Sequence, residues 1–275
     1  MSAGDAYREA TDRANAKFWD EICGTVFAKQ HRVEGRTLDA LRRFDQAYFD
    51  FYPYLLERVP VQTMRGQRVL EVGLGYGTVG QKIAESGADY TGLDIAQGPV
   101  DMMNHRLSMQ SLPGRAIQGS MLECPLPDAS MDSVVSLGCF HHTGSVARCI
   151  DEAWRVLKPG GRAYVMVYNA LSYRQWIKWP RQTLRVLFAP AGAVRATEGQ
   201  RAGYDVNTAG VAAPETEFVS RAQLRCMMWR FSDVELVLEN CDVLRHHRRT
   251  VIARASMLTS LGRLSGLDIY ASARK

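Results

Sequence analysis

Residues 69–80 read VLEVGLGYGTVG. The apolar run at the start is typical of a buried strand, and the glycines of the segment GLGYG are typical of a tight turn that leads into a helix at Thr78. Glycine lets such a turn pass close to a ligand, and the free N–H groups at a helix start favour a polar or anionic group. This order of strand, turn and helix predicts a binding site for a nucleotide-like ligand.

A carboxylate follows at the distance at which such sites use one. Asp94 lies 19 residues beyond Gly75, at the end of the next predicted strand. A carboxylate there can accept hydrogen bonds from both hydroxyls of a ribose. The string Gly75-x-Gly77-x-x-Gly80 also matches the dinucleotide fingerprint literally, so a nicotinamide-dependent oxidoreductase is an alternative.

Short apolar runs alternate with helical segments around this loop, which predicts a parallel α/β sheet covered by helices on both faces. The predicted strands are 68–72, 89–94, 115–118, 131–137, 162–168, 234–238 and 267–273. The predicted helices are 78–86, 98–110, 145–157 and 170–188, one that opens with a capping box at Ser220 and Gln223, and one near 246–262.

Two helical patterns, at 7–29 and 37–59, precede the first strand. We expect residues 1–60 to form a helical cap and residues 61–275 to form the main domain. Within that domain, the stretch after the fifth strand is rich in Ala, Gly, Pro and Thr. We expect an insertion at 170–219 that acts as a lid.

Several further motifs follow in a fixed order. They are Glu71-x-Gly73-x-Gly75-x-Gly77, Leu93-Asp94-Ile95, Gly119-Ser120-Met121, Pro125-Leu126-Pro127-Asp128 with Met131-Asp132, and Leu157-Lys158-Pro159-Gly160-Gly161. On these motifs, residues 68–168 resemble the class I S-adenosylmethionine-dependent methyltransferase family, in its small-molecule type. The resemblance implies a Rossmann-like, doubly wound sheet of seven strands with an antiparallel last strand, and S-adenosylmethionine as cofactor.

The same resemblance implies which residues bind the cofactor. The glycine loop would hold its methionine and ribose part, and Asp94 its ribose hydroxyls. Ser120 and Met121 occupy the position that contacts adenine, and Gly138 would lie near the methionine end. The full predicted set is Glu71, Gly73, Gly75, Gly77, Asp94, Ile95, Ser120, Met121 and Gly138.

Methyl transfer needs an aligned acceptor and the exclusion of water, and a hydroxyl or ammonium acceptor must also lose a proton. His141 and His142 follow the fourth strand at the ligand-binding edge, so they are the candidate bases, with Asp205 as a second candidate; packing and turn formation are the alternatives. The candidate substrate-binding residues are Tyr7, Trp19, Tyr168, Trp176 and Asp205, for which packing is again the alternative.

Composition excludes several classes of protein. With 275 residues, 46% hydrophobic and 23% charged, the chain is predicted to be an ordinary globular protein. Its six cysteines contain no C-x-x-C pair, so we expect no metal site and no disulfide scaffold. The first fifteen residues lack an apolar signal core, and no apolar run approaches the ~18 residues of a membrane span. We therefore expect a cytoplasmic protein without membrane contact.

The charge is uneven, with a net +7 in residues 170–275 against −2 in residues 1–169. The basic run 245–249 is interpreted as a solvated helix face, with phosphate or nucleic-acid binding as the alternative. A nucleic-acid methyltransferase is thus an alternative function. The base-amine enzymes, however, carry an Asn/Asp-Pro-Pro-aromatic motif where this chain has Gly138-Cys139-Phe140-His141. We expect a small-molecule partner and no nucleic acid, with a homodimer left open.

Overall fold

The computed structural model describes residues 3–21, 36–189, 192–246 and 249–275. Within these residues the strands form one seven-stranded sheet and two short pairs. The strands are β1 (Arg68–Val72), β2 (Asp89–Asp94), β3 (Arg115–Gln118), β4 (Met131–Leu137), β5 (Leu157–Tyr168), β6 (Val194–Arg195), β7 (Glu217–Phe218), β8 (Ser232–Glu239), β9 (Leu244–His246), β10 (Arg249–Ile252) and β11 (Asp268–Arg274).

The seven-stranded sheet has the order β3-β2-β1-β4-β5-β11-β8. Strands β1 to β5 pair in parallel, and β11 runs antiparallel to both β5 and β8. The predicted Rossmann-like fold with an antiparallel last strand is therefore confirmed. Strand β5 begins at Leu157, earlier than predicted, because Leu157 pairs with Met131 of β4.

Helices lie on both faces of the sheet. They are α1 (Ala3–Trp19), α2 (Leu38–Phe51), α3 (Leu55–Arg58), α4 (Thr78–Glu85), α5 (Gln97–Met109), α6 (Val146–Val156), α7 (Tyr173–Lys178), α8 (Pro180–Val186), α9 (Glu198–Ala202), α10 (Arg221–Met227), α11 (Arg254–Met257) and α12 (Arg263–Ser265). Short 3₁₀ turns span Val61–Met64, Met121–Glu123 and Phe140–His142, and a π-turn spans Leu258–Gly262. None of the helices in the described ranges is long and apolar enough to cross a bilayer.

Local sequence explains most helix boundaries. Ser220 and Gln223 form the predicted capping box at the start of α10, with both reciprocal hydrogen bonds present. The predicted helix 170–188 is instead two helices, because Pro180 lacks an N–H group and its ring clashes with a preceding turn. Pro180 therefore occupies the first position of α8, where proline is favourable.

The helix predicted near 246–262 is wrong for its first part. Strands β9 and β10 form an antiparallel hairpin there, and helix α11 begins only at Arg254. The β-branched run Thr250, Val251 and Ile252 favours a strand over a helix. The basic run 245–249 thus lies on a hairpin and not on a helix face. Residues 247–248 lie outside the described residues, as do the side chains of the rest of the run.

The core consists of two apolar layers, one on each face of the sheet. Because side chains alternate along a strand, Val69 and Val135 point into one layer while Leu70 and Val134 point into the other. Fully burying such a side chain stabilises the fold by about 1.5–3 kcal/mol. The second N-terminal helical pattern shares this core, since Leu55 belongs to the same cluster as Val69. The division at residue 60 stays a prediction.

Candidate cofactor and active site

A cavity of about 200 Å³ opens at the carboxyl ends of β1, β2 and β4. Ligands of open α/β sheets bind at this edge, where the strand order reverses. Its floor comes from the turn after β1, from Asp94 at the end of β2 and from Gly138 after β4. The predicted residues Glu71, Gly73, Gly75, Asp94, Ile95, Gly138 and His142 all line it.

The turn after β1 requires glycine for two different reasons. At Gly73, with φ +84°, a Cβ atom would lie 2.4 Å from Cys139 Cβ. The turn after β1 can therefore approach the turn after β4 only because Gly73 has no side chain. At Gly75, with φ +51°, a Cβ would meet no atom within 4 Å. Gly75 is therefore demanded by the left-handed backbone and by the open space that it borders.

The carboxylate of Asp94 connects this turn to β2. Its Oδ2 accepts a hydrogen bond from Leu74 N at 2.8 Å and its Oδ1 accepts one from Ala96 N at 3.0 Å. Burial raises the pKa of Asp94 to about 6, against the lowering effect of these N–H groups. Each carboxylate oxygen has a second acceptor site, so Asp94 can still accept hydrogen bonds from a ligand.

Glu71 is a buried carboxyl that lines the same cavity. Its Oε2 accepts a hydrogen bond from the Tyr90 hydroxyl at 2.5 Å, and burial raises its pKa to about 8. A Cβ on Gly80 would lie 2.3 Å from Glu71 Oε2 and 2.4 Å from Tyr90 Oη. Gly80, the last glycine of the Gly75-x-Gly77-x-x-Gly80 string, is therefore explained by its packing against Glu71 and Tyr90.

Glu71→Gln should flatten the pH dependence of stability. The pKa of Glu71 is raised from 4.5 to about 8 on folding. As pH rises between these two pKa values, the unfolded chain loses the Glu71 proton while the folded protein keeps it, so the free energy of unfolding decreases. Gln mimics the protonated side chain, so between about pH 4.5 and 8 the variant should lose less stability than the parent. Thermal unfolding across this range measures the difference.

Glu85→Gln is the matched control, because the pKa of half-buried Glu85 is lowered by its hydrogen bonds to Lys82 and Gln81 although burial opposes this. Its stability curve should show no such flattening. Parallel curves for Glu71→Gln and the parent would show that Glu71 is ionised in the folded protein.

A second, smaller cavity adjoins the first across Trp19, Asp94 and His142. The predicted residues Ser120 and Met121 line it. Ser120 starts the 3₁₀ turn Met121–Glu123, and its hydroxyl oxygen accepts a hydrogen bond from Leu122 N at 3.3 Å. Of the predicted cofactor set, Gly77 alone lines neither cavity, and it instead ends the turn at the start of α4.

Aromatic side chains form the outer wall of the main cavity. Trp19 comes from α1, Phe44 and Tyr48 come from α2, and Tyr76 comes from the glycine turn. The Phe44 and Tyr76 rings lie 4.4 Å apart. Trp19 was predicted here, whereas the other three were missed. Phe44 and Tyr48 follow the helical spacing of α2, which the sequence analysis treated as helix packing alone.

His142 lies at the far side of the cavity. Its Nδ1 is 2.8 Å from the backbone carbonyl oxygen of Glu215. Because a carbonyl only accepts, Nδ1 carries a hydrogen, and in the neutral ring the lone pair is on Nε2. That nitrogen lies 3.4 Å from Asp205 Oδ2, which also accepts a hydrogen bond from the Tyr168 hydroxyl at 2.8 Å.

His141 points elsewhere, although it is adjacent in sequence. It is fully buried, and neither ring nitrogen has a hydrogen-bond partner among the described residues. Burial holds its pKa well below the usual value, so it is neutral. Its ring packs on Tyr168 at 3.9 Å and on His142 at 4.2 Å. The structure does not bring His141 to the cavity.

The remaining predicted substrate residues are placed differently. Tyr168 and Asp205 contact His142 and do not line the cavity. Tyr7 donates a hydrogen bond to Glu215 Oε1 at 2.6 Å and remains partly exposed, away from the cavity. Trp176 is exposed on α7 and is not brought to the site.

Comparison with known proteins agrees with this geometry. Residues 70–165 match the family model of a methyltransferase domain. The demethylmenaquinone methyltransferase of Tropheryma whipplei is 30% identical over 151 residues, covering 52% of this chain and 62% of that protein. The ubiquinone biosynthesis O-methyltransferase of Xylella fastidiosa is 31% identical over 120 residues, covering 42% of this chain and 46% of that protein. The match spans less than two thirds of either relative.

Among solved structures, an S-adenosylmethionine-dependent methyltransferase from Mesorhizobium loti shares the fold, with a TM-score of 0.52 and 19% identity over 82% of this chain and 97% of that one. The site residues fit the cofactor that this family implies. Asp94 provides buried acceptors for ribose hydroxyls, and the aromatic wall of Trp19, Phe44 and Tyr76 suits a sulfonium cation. Residues 70–165 thus match a methyltransferase domain, and the chain is similar in sequence and fold to S-adenosylmethionine-dependent methyltransferases.

Proposed function

We propose that this chain transfers a methyl group from S-adenosylmethionine to a small-molecule acceptor. The observation that carries the proposal is one cavity that Glu71, Asp94 and His142 line together, with an aromatic wall from α1 and α2. The names of the relatives, which act on demethylmenaquinone or in ubiquinone biosynthesis, support a small acceptor.

When bound, the cofactor supplies an electrophilic methyl group on sulfur. The protein's part is to align the acceptor and to exclude water, which are the effects that matter most in a displacement of this kind. Trp19 and Phe44 come from segments far from the glycine turn in sequence, and they cover the cavity. We assign water exclusion to these two side chains.

His142 is assigned the role of general base toward a hydroxyl or ammonium acceptor. The Glu215 carbonyl holds the hydrogen on Nδ1, so that Nε2 is the nitrogen that takes up a proton. The Asp205 carboxylate at 3.4 Å stabilises the resulting imidazolium, and the Tyr168 hydroxyl holds that carboxylate in place. Asp205 is thus a positioning residue.

His142→Ala should lower turnover by about 10²–10⁴-fold, the usual contribution of a general base. Affinity for S-adenosylhomocysteine should stay within about threefold of the parent, a change below 1 kcal/mol. His105→Ala is the matched control, because His105 is a partly exposed histidine whose Nε2 contacts Arg36 O and which does not line the cavity. Unchanged turnover in His142→Ala would remove His142 from the mechanism.

The proposed function is tested in two steps. Titration calorimetry with S-adenosylmethionine, S-adenosylhomocysteine and the nicotinamide dinucleotides identifies the cofactor. Transfer of a labelled methyl group to quinols, phenols, fatty acids and oligonucleotides then identifies the acceptor class. Binding of a dinucleotide alone would refute the proposal in favour of an oxidoreductase, and labelling of oligonucleotides alone would favour a nucleic-acid methyltransferase.

A further inference from the structure

Helices α7 and α8, which follow strand β5, expose most of their apolar side chains and bury polar ones, although α8 also buries Val186. The buried positions include Gln175 and Thr183, each 1% exposed. Ile177 is 72% exposed and Phe188, just after α8, is 82% exposed. A helix pair that faces water normally presents its polar residues outward. Here the outer side is apolar, which marks a contact surface rather than a solvated one.

The exposed residues of 173–188 are either apolar or basic. We call them the basic–apolar surface, which consists of Trp176, Ile177, Leu184, Leu187 and Phe188 with Pro180, Lys178, Arg181 and Arg185. No acidic residue occurs between positions 153 and 197 of the sequence. Among the described residues, no carboxylate forms an ion pair with Lys178, Arg181 or Arg185. The neighbouring Arg174 is different, because it pairs with Asp242.

The polar side is held inward by its own hydrogen bonds. Gln175 Nε2 donates to the Tyr204 hydroxyl at 3.2 Å, and Gln200 Nε2 donates to Gln175 Oε1 at 2.9 Å. The Thr183 hydroxyl donates to the Trp179 carbonyl at 2.9 Å. Because the Gln175 bonds reach Tyr204 and Gln200, α7 cannot turn its apolar side inward without breaking them. The Thr183 bond is local and satisfies its buried hydroxyl within the helix turn.

We propose that the basic–apolar surface docks on an anionic phospholipid membrane, with its Trp, Leu, Ile and Phe side chains at the acyl boundary and its three cations at the headgroups. Interfacial helices, which lie in the membrane plane, combine Trp, Phe and Leu with Lys and Arg, and the basic–apolar surface has this composition. This proposal departs from the expectation of no membrane contact, which rested on the lack of an apolar signal core and of a spanning run. It concerns binding alone and does not depend on the proposed function.

A second copy of the chain is a poorer occupant of this surface. A twofold dimer would place the patch against itself, and would therefore bring six unpaired cations together across an apolar contact. An anionic membrane supplies the missing negative charge. A series of aromatic rings connects Trp179, which lies between Lys178 and Pro180 of the surface, with His142 of the site. The ring centroids are 6.2 Å apart from Trp179 to Tyr204, 4.8 Å from Tyr204 to Tyr168 and 5.8 Å from Tyr168 to His142.

Sedimentation with vesicles tests the proposal on the full chain. Vesicles of equimolar phosphatidylcholine and phosphatidylglycerol should bind the protein, whereas vesicles of phosphatidylcholine alone should bind it at least about tenfold more weakly. Added salt should weaken the binding, because the charges are exposed. Two multiple variants should each lower vesicle binding by about tenfold or more. One is the triple variant Ile177→Ser, Leu184→Ser, Phe188→Ser, and the other is the double variant Arg181→Glu, Arg185→Glu.

Leu264→Ser and Arg221→Glu are the matched controls, because both residues are exposed outside the patch. They should bind vesicles like the parent, and all variants should keep the parent's unfolding temperature because every changed side chain is exposed. Absence of vesicle binding, equal binding to both vesicle types, or unchanged binding in the triple variant would overturn the proposal. The proposal would also be overturned if the parent protein formed a dimer and the triple variant were a monomer.

Discussion

Asp94→Ala should lower the affinity for S-adenosylhomocysteine by at least about 100-fold. Two hydrogen bonds from ribose hydroxyls to a buried carboxylate contribute about 1.5–3 kcal/mol each, and every 1.4 kcal/mol is a factor of ten. The same change removes the acceptor of Leu74 N and of Ala96 N, so the glycine turn loses its link to β2 as well. Both effects weaken binding in the same direction.

Titration calorimetry measures this loss, with Asp89→Ala as the matched control. Asp89 is the first residue of β2 and Asp94 is the last, but Asp89 is exposed at the opposite edge of the sheet and only meets Arg68 at 3.6 Å. Asp89→Ala should leave affinity unchanged. Near-parent affinity in Asp94→Ala would show that Asp94 serves only the turn.

The pKa of Asp94 predicts a pH dependence of the affinity for S-adenosylhomocysteine, which the same titration measures. Burial raises this pKa to about 6, so the carboxylate gains a proton as pH falls through that value. A protonated carboxyl accepts hydrogen bonds more weakly than a carboxylate. The affinity of the parent protein for S-adenosylhomocysteine should therefore decrease as pH falls through about 6, and that of Asp94→Ala should not.

Arg106→Met should destabilise the protein by about 3–5 kcal/mol, the usual cost of leaving one buried charge without its partner. The Arg106 side chain is fully buried, and its guanidinium donates to both oxygens of Asp45 at 2.8 Å and to Gln81 Oε1 at 2.6 Å. Asp45 also accepts a hydrogen bond from the Thr78 hydroxyl at 2.7 Å. The pair thus fastens helix α2 to α5, and the bonds to Thr78 and Gln81 connect both helices to α4.

This pair also bears on the cavity, because Phe44 and Tyr48 of its aromatic wall flank Asp45 on α2. A Cβ on Gly77 would lie 2.9 Å from Arg106 Cδ, so the arginine packs directly beneath the glycine turn. We therefore expect Arg106→Met to lower cofactor affinity as well as stability.

Denaturant unfolding measures the free energy change, and a double variant separates charge burial from packing. Asp45→Asn combined with Arg106→Met removes both charges and keeps an acceptor for Thr78, so it should recover most of the lost stability. Arg42→Met is the matched control on α2, the helix that carries Asp45. Arg42 lies 3.9 Å from Asp39 with both side chains exposed, so its loss should cost under about 1 kcal/mol. A double variant no more stable than Arg106→Met would assign the cost to packing.

Local features of the chain determined the strands, the glycine turn and the similarity to a methyltransferase domain. Strands β1 to β4 begin and end where the sequence places them, because apolar runs and turn glycines act over a few residues. The hairpin at β9 and β10 was missed, since its basic residues fit a helix as well as a strand. Its pairing, His246 with Arg249, is set across a turn rather than along one segment.

Only the tertiary structure decided which of two adjacent histidines faces the cavity. The turn Phe140–His142 sends His141 into the core and His142 to the cavity edge. His142 is then held by Asn15 Nδ2, which donates to its carbonyl from 127 residues away, and by the Glu215 carbonyl from 73 residues away. Local periodicity carries no information about such distant contacts, because they form only when the N-terminal helix and the region after β5 pack on the sheet edge.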